Sequence, residues 1–132
     1  MKSLDTNIIV RFLVNDDQVQ GEKVKSIFLD AEKKGGTFFV ATAVLLETLY
    51  VLGSVYGFSR DEILKALESM LAMRVLAFEN TDAVHDLIIE GHKERIDLED
   101  LLIALVSRDA GCETTLTFDK KAARSDLFEL IR

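Results

Sequence analysis

The amino-acid sequence predicts an α/β fold, a three-layer α/β/α sandwich around a central parallel sheet of four to five strands. Short apolar runs alternate along the chain with longer segments in which apolar residues recur every three or four positions. Such alternation is typical of parallel sheets covered by helices on both faces. The 132 residues include no proline and seven glycines, and show neither a repeat nor a linker. We therefore expect one domain over residues 1–132.

Three strands and three helices are predicted in the first part of the chain. The strands are 2–4, 37–40 and 74–78, and the helices are 19–33, 42–56 and an amphipathic helix that begins at Ser59. Thr42 and Ser59 are expected to cap their helices, because a hydroxyl at that position accepts a hydrogen bond from an N–H of the first turn.

Two more helices and two more strands are predicted in the rest of the chain. The helices are 81–92, capped by Thr81, and 97–109, capped by Asp97, and the strands are 114–118 and 128–131. Residues 101–106 are all apolar, so we expect the second helix to be buried on all sides. Polar residues at the carboxyl ends of parallel strands are the candidates for a functional site.

Charge and cysteine content exclude several classes of protein. The chain has 23 Asp plus Glu and 16 Lys plus Arg, which gives a net charge of −7. This charge argues against a protein that binds nucleic acid through an extensive basic surface. A single cysteine excludes an internal disulfide framework and a cysteine-based zinc site. The sequence lacks both an apolar run of about 18 residues and the apolar segment of a signal peptide. We therefore expect a cytoplasmic protein that does not associate with membranes.

Glu47 is the only charged residue between Lys34 and Arg60. On a helix its neighbours include Val44 and Val51, and no cation lies within one turn. A buried and unpaired carboxylate is energetically costly, so its presence in an apolar stripe indicates a functional residue. The alternative is that the helix exposes Glu47 to solvent along one polar line.

Asp5 and Asp119 each follow a predicted strand directly. Either residue could simply cap the helix or turn that comes next. Two aspartates at strand ends of one parallel sheet would, however, project toward the same crevice.

Asp97 and Asp100 lie three residues apart at the start of a predicted helix, and therefore on one face of it. Part of this cluster is explained by capping, because the helix dipole favours acids in its first turn by about 0.3–1 kcal/mol each. Glu99 points away from that face and is expected to be solvated.

Convergence of Asp5, Glu47, Asp100 and Asp119 would require a cation. Two like charges 4 Å apart cost about 4 kcal/mol at an effective dielectric of 20. Oxygen ligands without His or Cys select Mg²⁺ or Mn²⁺ over zinc. Such an ion can supply a water nucleophile, so the chemistry indicated is metal-dependent phosphodiester hydrolysis.

Four segments, in this order and at these spacings, resemble the PIN-domain ribonucleases, and among them the VapC-type toxins of toxin–antitoxin pairs. The segments are LDTN at 4–7, LLETL at 45–49, DLEDLLIA at 97–104 and TFDKKAA at 117–123. The resemblance implies an acidic metal site formed by Asp5, Glu47, Asp100 and Asp119. It further implies supporting polar groups at Asn7 and Thr117, with Asp97 at a frequent acidic position.

The resemblance also implies partners, an RNA substrate and a cognate antitoxin. Residues 44–58 are unusually apolar, and we expect part of this surplus to serve a partner helix or the interface of a homodimer. Lys120, Lys121, Arg124 and Arg108 are candidates to guide the RNA, the alternative being ordinary solvated surface. Two other functions stay open, a PIN-domain nuclease of RNA processing and a catalytically inactive interaction domain. A haloacid-dehalogenase-like phosphatase is disfavoured, because it needs a second aspartate where Asn7 stands.

Overall fold

The computed structural model describes residues 1–132, which divide into two compact units, Met1–Glu79 and Asn80–Arg132. The first unit contains β1 (Lys2–Ser3), α1 (Thr6–Leu13), α2 (Gln18–Lys33), β2 (Phe38–Val40), α3 (Thr42–Ser54), α4 (Arg60–Leu71) and β3 (Leu76–Phe78). The second contains α5 (Thr81–Lys93), α6 (Leu98–Asp109), β4 (Thr115–Thr117), a 3₁₀ turn (Ala122–Arg124) and β5 (Phe128–Leu130). Every predicted strand and helix is present, and the apolar segment after Asp5 forms the additional helix α1.

All strand pairs are parallel, which confirms the predicted α/β fold class. In the first unit the strand order is β1-β2-β3, with Phe38 paired to Leu76 and Val40 to Phe78. In the second unit β4 pairs with β5. The five strands thus form a three-stranded and a two-stranded sheet, where one sheet of four to five strands was expected. Each strand spans only two or three residues, so each ladder contains few backbone hydrogen bonds.

The core of the first unit lies between its sheet and its helices. The buried residues of this cluster are Leu4, Ile9, Val24, Phe28, Val40, Met70, Val75 and Leu76. Phe28 is central to it, because its ring lies 5.1 Å from that of Phe12 and 5.7 Å from that of Phe38, tilted in both pairs. Tilted aromatic pairs at these separations add to the stabilisation from buried area.

Helix α6 is buried on one side only, which corrects the expectation of a helix surrounded by protein. Leu101, Leu102, Ala104 and Leu105 are buried, whereas the side chain of Ile103 is 45% exposed. The buried face packs within the second unit, where α5 is its main neighbour. No helix of the structure is long and apolar enough to span a membrane.

The serine expected to cap α4 does so, whereas the threonines expected to cap α3 and α5 are each displaced by one residue. Ser59 caps α4, and Glu62 returns a hydrogen bond to the Ser59 N–H, a reciprocal capping box. Thr42 and Thr81 are instead the first residues of their helices. Asn80 caps α5 by accepting from the Ala83 N–H at 2.9 Å.

Candidate active site

Asp5 occupies the turn between β1 and α1 and is exposed. It is the N-cap of α1, where its Oδ1 accepts a hydrogen bond from the Thr6 N–H at 2.8 Å. Its capping role is therefore real. The other carboxylate oxygen, Oδ2, has no hydrogen bond, so the cap leaves one oxygen available to a ligand.

Thr6, the first residue of α1, carries the one buried side-chain oxygen of the structure that lacks a hydrogen-bond partner. The residue is 4% exposed. An unpaired buried hydroxyl costs roughly 1–3 kcal/mol, so this atom, beside Asp5, is poised to accept a partner. Thr6 belongs to the LDTN segment, but no role for this residue was predicted from the sequence. Asn7, the next residue, is exposed.

Glu47 is exposed, which corrects the interpretation that it is buried in an apolar stripe. Helix α3 buries the face that carries Leu45, Thr48, Leu49 and Leu52. Glu47 lies on the opposite face with Ala43, Tyr50 and Ser54, all exposed. Burial therefore supplies no argument for its function. Its carboxylate nevertheless makes neither a hydrogen bond nor an ion pair.

Asp100 lies in the first turn of α6 and is half-buried. Burial raises the pKa of its carboxyl group, and the negative charges of Asp97 and Asp119 raise that pKa further. The structure thus places Asp97 and Asp119 within electrostatic reach of Asp100. Asp97 occupies the N-cap position of α6, although its side chain makes no capping hydrogen bond.

Asp119 is exposed and is the second residue after the end of β4. Its Oδ1 accepts hydrogen bonds from the N–H groups of Lys121 at 2.8 Å and Ala122 at 3.3 Å, so it holds the turn that comes next. Its own N–H donates to Thr117 Oγ1 at 3.0 Å. Thr117 therefore positions the backbone at Asp119, and Asp119 Oδ2 is left without a hydrogen bond.

None of these carboxylates is neutralised by a cation of the chain. Ion pairs form elsewhere in the chain, for example at Arg11–Asp16, Lys25–Glu22, Lys34–Asp30 and Arg108–Asp86. Asp5 and Glu47 belong to the first unit, and Asp97, Asp100 and Asp119 to the second. The structure contains no group of three His, Cys, Asp or Glu side chains that could hold a metal ion as they stand.

Comparison with known proteins identifies the family. The sequence profile of the PIN domain matches residues 3–126. The chain belongs to the PIN-domain family. It is also 24% identical over 121 residues to a VapC ribonuclease of Aquifex aeolicus (strain VF5), an alignment that covers 92% of this chain and 89% of the relative. No solved structure matches significantly. Both matches confirm the resemblance found from the four sequence motifs.

The cations expected to guide RNA in this PIN domain fall into two groups. Arg108 is engaged, because its guanidinium donates to Asp86 at 3.2 Å. Lys120, Lys121 and Arg124 are exposed and make no ion pair. The last three therefore remain free to meet an anionic ligand.

Sequence reasoning missed a polar cluster at the end of α1. Arg11 donates to Gln20 Oε1 at 2.7 Å and to the Tyr56 hydroxyl at 3.2 Å, and Tyr56 donates to Asp16 at 2.8 Å. Tyr56 lies 45 residues from Arg11 along the chain, so no local sequence pattern predicts their hydrogen bond.

Proposed function

We propose that this PIN domain is a ribonuclease that hydrolyses RNA phosphodiester bonds with Mg²⁺ or Mn²⁺, residues 1–132 acting as one nuclease domain. The observation that carries the proposal is that all four motif carboxylates, Asp5, Glu47, Asp100 and Asp119, lack a cation partner in a PIN-domain chain. Asp100, the half-buried member of the set, is destabilised by burial and by the charges of Asp97 and Asp119, a cost that a bound cation would offset.

The donor chemistry fits a hard divalent ion. All four groups are carboxylates, with neither His nor Cys among them, and this set favours Mg²⁺ or Mn²⁺. Like charges repel until an ion binds, so a compact ligand group is not expected in its absence. When bound, the ion supplies positive charge at the scissile phosphate and activates a water for attack.

The remaining polar groups of the motifs act by positioning. Thr117 fixes the backbone of Asp119 through the 3.0 Å hydrogen bond, and the helix start at Thr6 fixes Asp5. Asp97 raises the local negative charge around Asp100. The amide of Asn7, exposed two residues after Asp5, is assigned to the substrate.

We further propose that the protein is the toxin of a cytoplasmic toxin–antitoxin pair and forms a homodimer. The VapC relative supports the toxin part of this assignment. An antitoxin would place an Arg or Lys at the acidic site and an amphipathic helix on exposed apolar surface. Helix α3 and the turn after it offer such surface, since Tyr50 is 59% and Val55 66% exposed.

The test of nuclease function is cleavage of RNA by the purified protein in Mn²⁺ or Mg²⁺ and in excess EDTA. We expect Asp5→Asn and Asp100→Asn to lower the rate about 100-fold or more while the fold is retained. Glu99→Gln, which removes an acid from the same turn as Asp100, is the matched control and should stay active. Full activity in either aspartate variant, or undiminished cleavage in EDTA, would refute a metal-dependent ribonuclease.

The toxin assignment is tested separately by expression in a bacterial host. Growth should stop when the wild-type protein is made, and co-expression of the adjacent small reading frame should restore it. RNA cleavage without growth arrest would instead indicate a nuclease of RNA processing. Absence of both cleavage and arrest would indicate an inactive interaction domain.

A further inference from the structure

A groove of about 480 Å³ lies between α1 and α2 in the first unit. We call it the α1–α2 groove. Its polar lining comes from Asn7, Arg11, Gln20 and Lys23, and its apolar lining from Ile8, Val24 and Ile27. The volume lies within the range of pockets that hold a small organic group.

The first residue that lines the groove is Asn7, two residues after Asp5, which caps α1. Asn7 and Arg11 lie four residues apart on that helix, so they share one face with a rise of about 6 Å between them. A ligand in the groove would therefore extend from the neighbourhood of Asp5 along α1.

The groove is lined by two cations and no carboxylate, in a chain whose net charge is −7. Lys23 is exposed and makes no ion pair. Arg11, whose guanidinium is charged at any ordinary pH, is held in place by hydrogen bonds to Gln20 and Tyr56. Asp16, the acid nearest to Arg11, contacts the guanidinium at 3.4 Å and offsets part of that charge.

The chemistry of these groups matches a nucleotide. Lys and Arg pair with a phosphate, and Arg does so with a fixed donor geometry. The amides of Asn7 and Gln20 can both donate to and accept from a base edge or a 2′-hydroxyl. The apolar side chains of Ile8, Val24 and Ile27 offer a surface against which a base can lie.

We propose that the α1–α2 groove binds one nucleotide of the RNA adjacent to the scissile bond, with Lys23 and Arg11 on its phosphate and Asn7 and Gln20 on its base or ribose. This inference rests on the proposed ribonuclease function. RNA is favoured over a protein segment because the polar lining consists of cations and amides only.

The experiment measures the affinity of the wild-type protein for a short labelled single-stranded RNA, in EDTA, at a series of KCl concentrations. Lys23→Glu is compared with Lys33→Glu, which makes the same charge change on the same helix but outside the groove. Lys23→Glu should weaken binding about fivefold or more and reduce the slope of log K against log salt by about 0.7, the value for one single-strand phosphate contact. Lys33→Glu should leave the slope unchanged.

Two further variants keep the test decisive. Lys23→Gln, which removes the charge without reversing it, should reproduce the change in slope even if Lys23→Glu lowers the melting temperature. Asn7→Ala, which removes the amide that does not contact Arg11, should weaken binding and leave the slope unaltered.

The inference would be overturned if Lys23→Glu and Lys33→Glu gave the same slope of log K against log salt. It would also be overturned if the wild-type protein did not bind RNA. Unchanged RNA binding together with loss of antitoxin binding in Lys23→Gln would overturn it as well, because the groove would then be a protein site. Lys23-dependent RNA binding in a protein that does not cleave RNA would refute the proposed catalysis alone.

Discussion

Replacing Asp100 by Asn should stabilise the ion-free protein relative to replacing Glu99 by Gln. Both acids lie in the first turn of α6, so both substitutions forfeit a favourable interaction with the helix dipole, about 0.3–1 kcal/mol. Glu99, which was expected to be solvated, is half-buried like Asp100. The negative charges of Asp97 and Asp119 act on Asp100 and raise its pKa further than burial does alone. The comparison between the two variants therefore isolates the electrostatic cost of the acidic cluster.

The size of the effect follows from the partial exposure of Asp100. Charge pairs that solvent screens contribute about 0.2–1 kcal/mol each, and Asp100 has two such repulsive neighbours. The free energy of unfolding of Asp100→Asn should exceed that of Glu99→Gln by roughly 1 kcal/mol at neutral pH. For a domain of this size that is a difference of about 3–5 °C in Tm.

The difference should shrink as the pH falls. Because the pKa of Asp100 is raised in the folded state, the folded protein binds more protons than the unfolded chain between the ordinary and the raised pKa. Glu99→Gln retains Asp100 and is stabilised as the pH falls through that interval, whereas Asp100→Asn is not. The two melting curves should therefore approach each other near pH 4.

The assay is thermal unfolding of both variants in EDTA between about pH 4 and pH 7, followed by circular dichroism. Glu99→Gln serves as the control for helix-dipole loss and for removal of one negative charge. Equal Tm values at neutral pH would refute the reasoning. So would a Tm difference that does not depend on pH.

Two contacts that join distant parts of the first unit should each contribute measurably to stability. Glu79 Oε1 accepts a hydrogen bond from the Thr42 N–H at the start of α3, at 2.8 Å. Glu79→Ala should therefore cost about 1 kcal/mol in urea unfolding and Glu79→Gln less, and equal losses would contradict the capping role. Tyr56→Phe removes a hydroxyl bonded to Arg11 and Asp16 and should cost about 0.5–1.5 kcal/mol. Tyr50→Phe, at an exposed residue without a hydrogen bond, should change stability by less than about 0.5 kcal/mol, and an equal effect would contradict the assigned contacts.

The order of strands and helices could be predicted because each element carries its own local signal. The short apolar run 37–40 and the helical spacing in 19–33 are readable without knowledge of the rest of the chain. The start of α3 was less predictable, since its first N–H is satisfied by Glu79, 37 residues away. The separation of the strands into two sheets also depends on long-range pairing that the sequence does not display.

The exposure of Glu47 could not be predicted because α3 is apolar almost all round. Its solvent-facing residues include Tyr50, and its half-buried ones include Val44 and Val51. With apolar residues on every side, the hydrophobic period does not distinguish the buried face. The candidate carboxylates themselves could be chosen from sequence, since Asp5 and Asp119 follow strands and both occupy turns as expected.

Calorimetric titration with Mn²⁺ tests the central claim, that four carboxylates hold a divalent ion, most directly. Wild type and Glu99→Gln should bind Mn²⁺ with the same Kd. Each of Asp5→Asn, Glu47→Gln, Asp100→Asn and Asp119→Asn should weaken binding by about tenfold or more. Unchanged affinity in all four variants, or no Mn²⁺ binding by the wild type, would contradict the account.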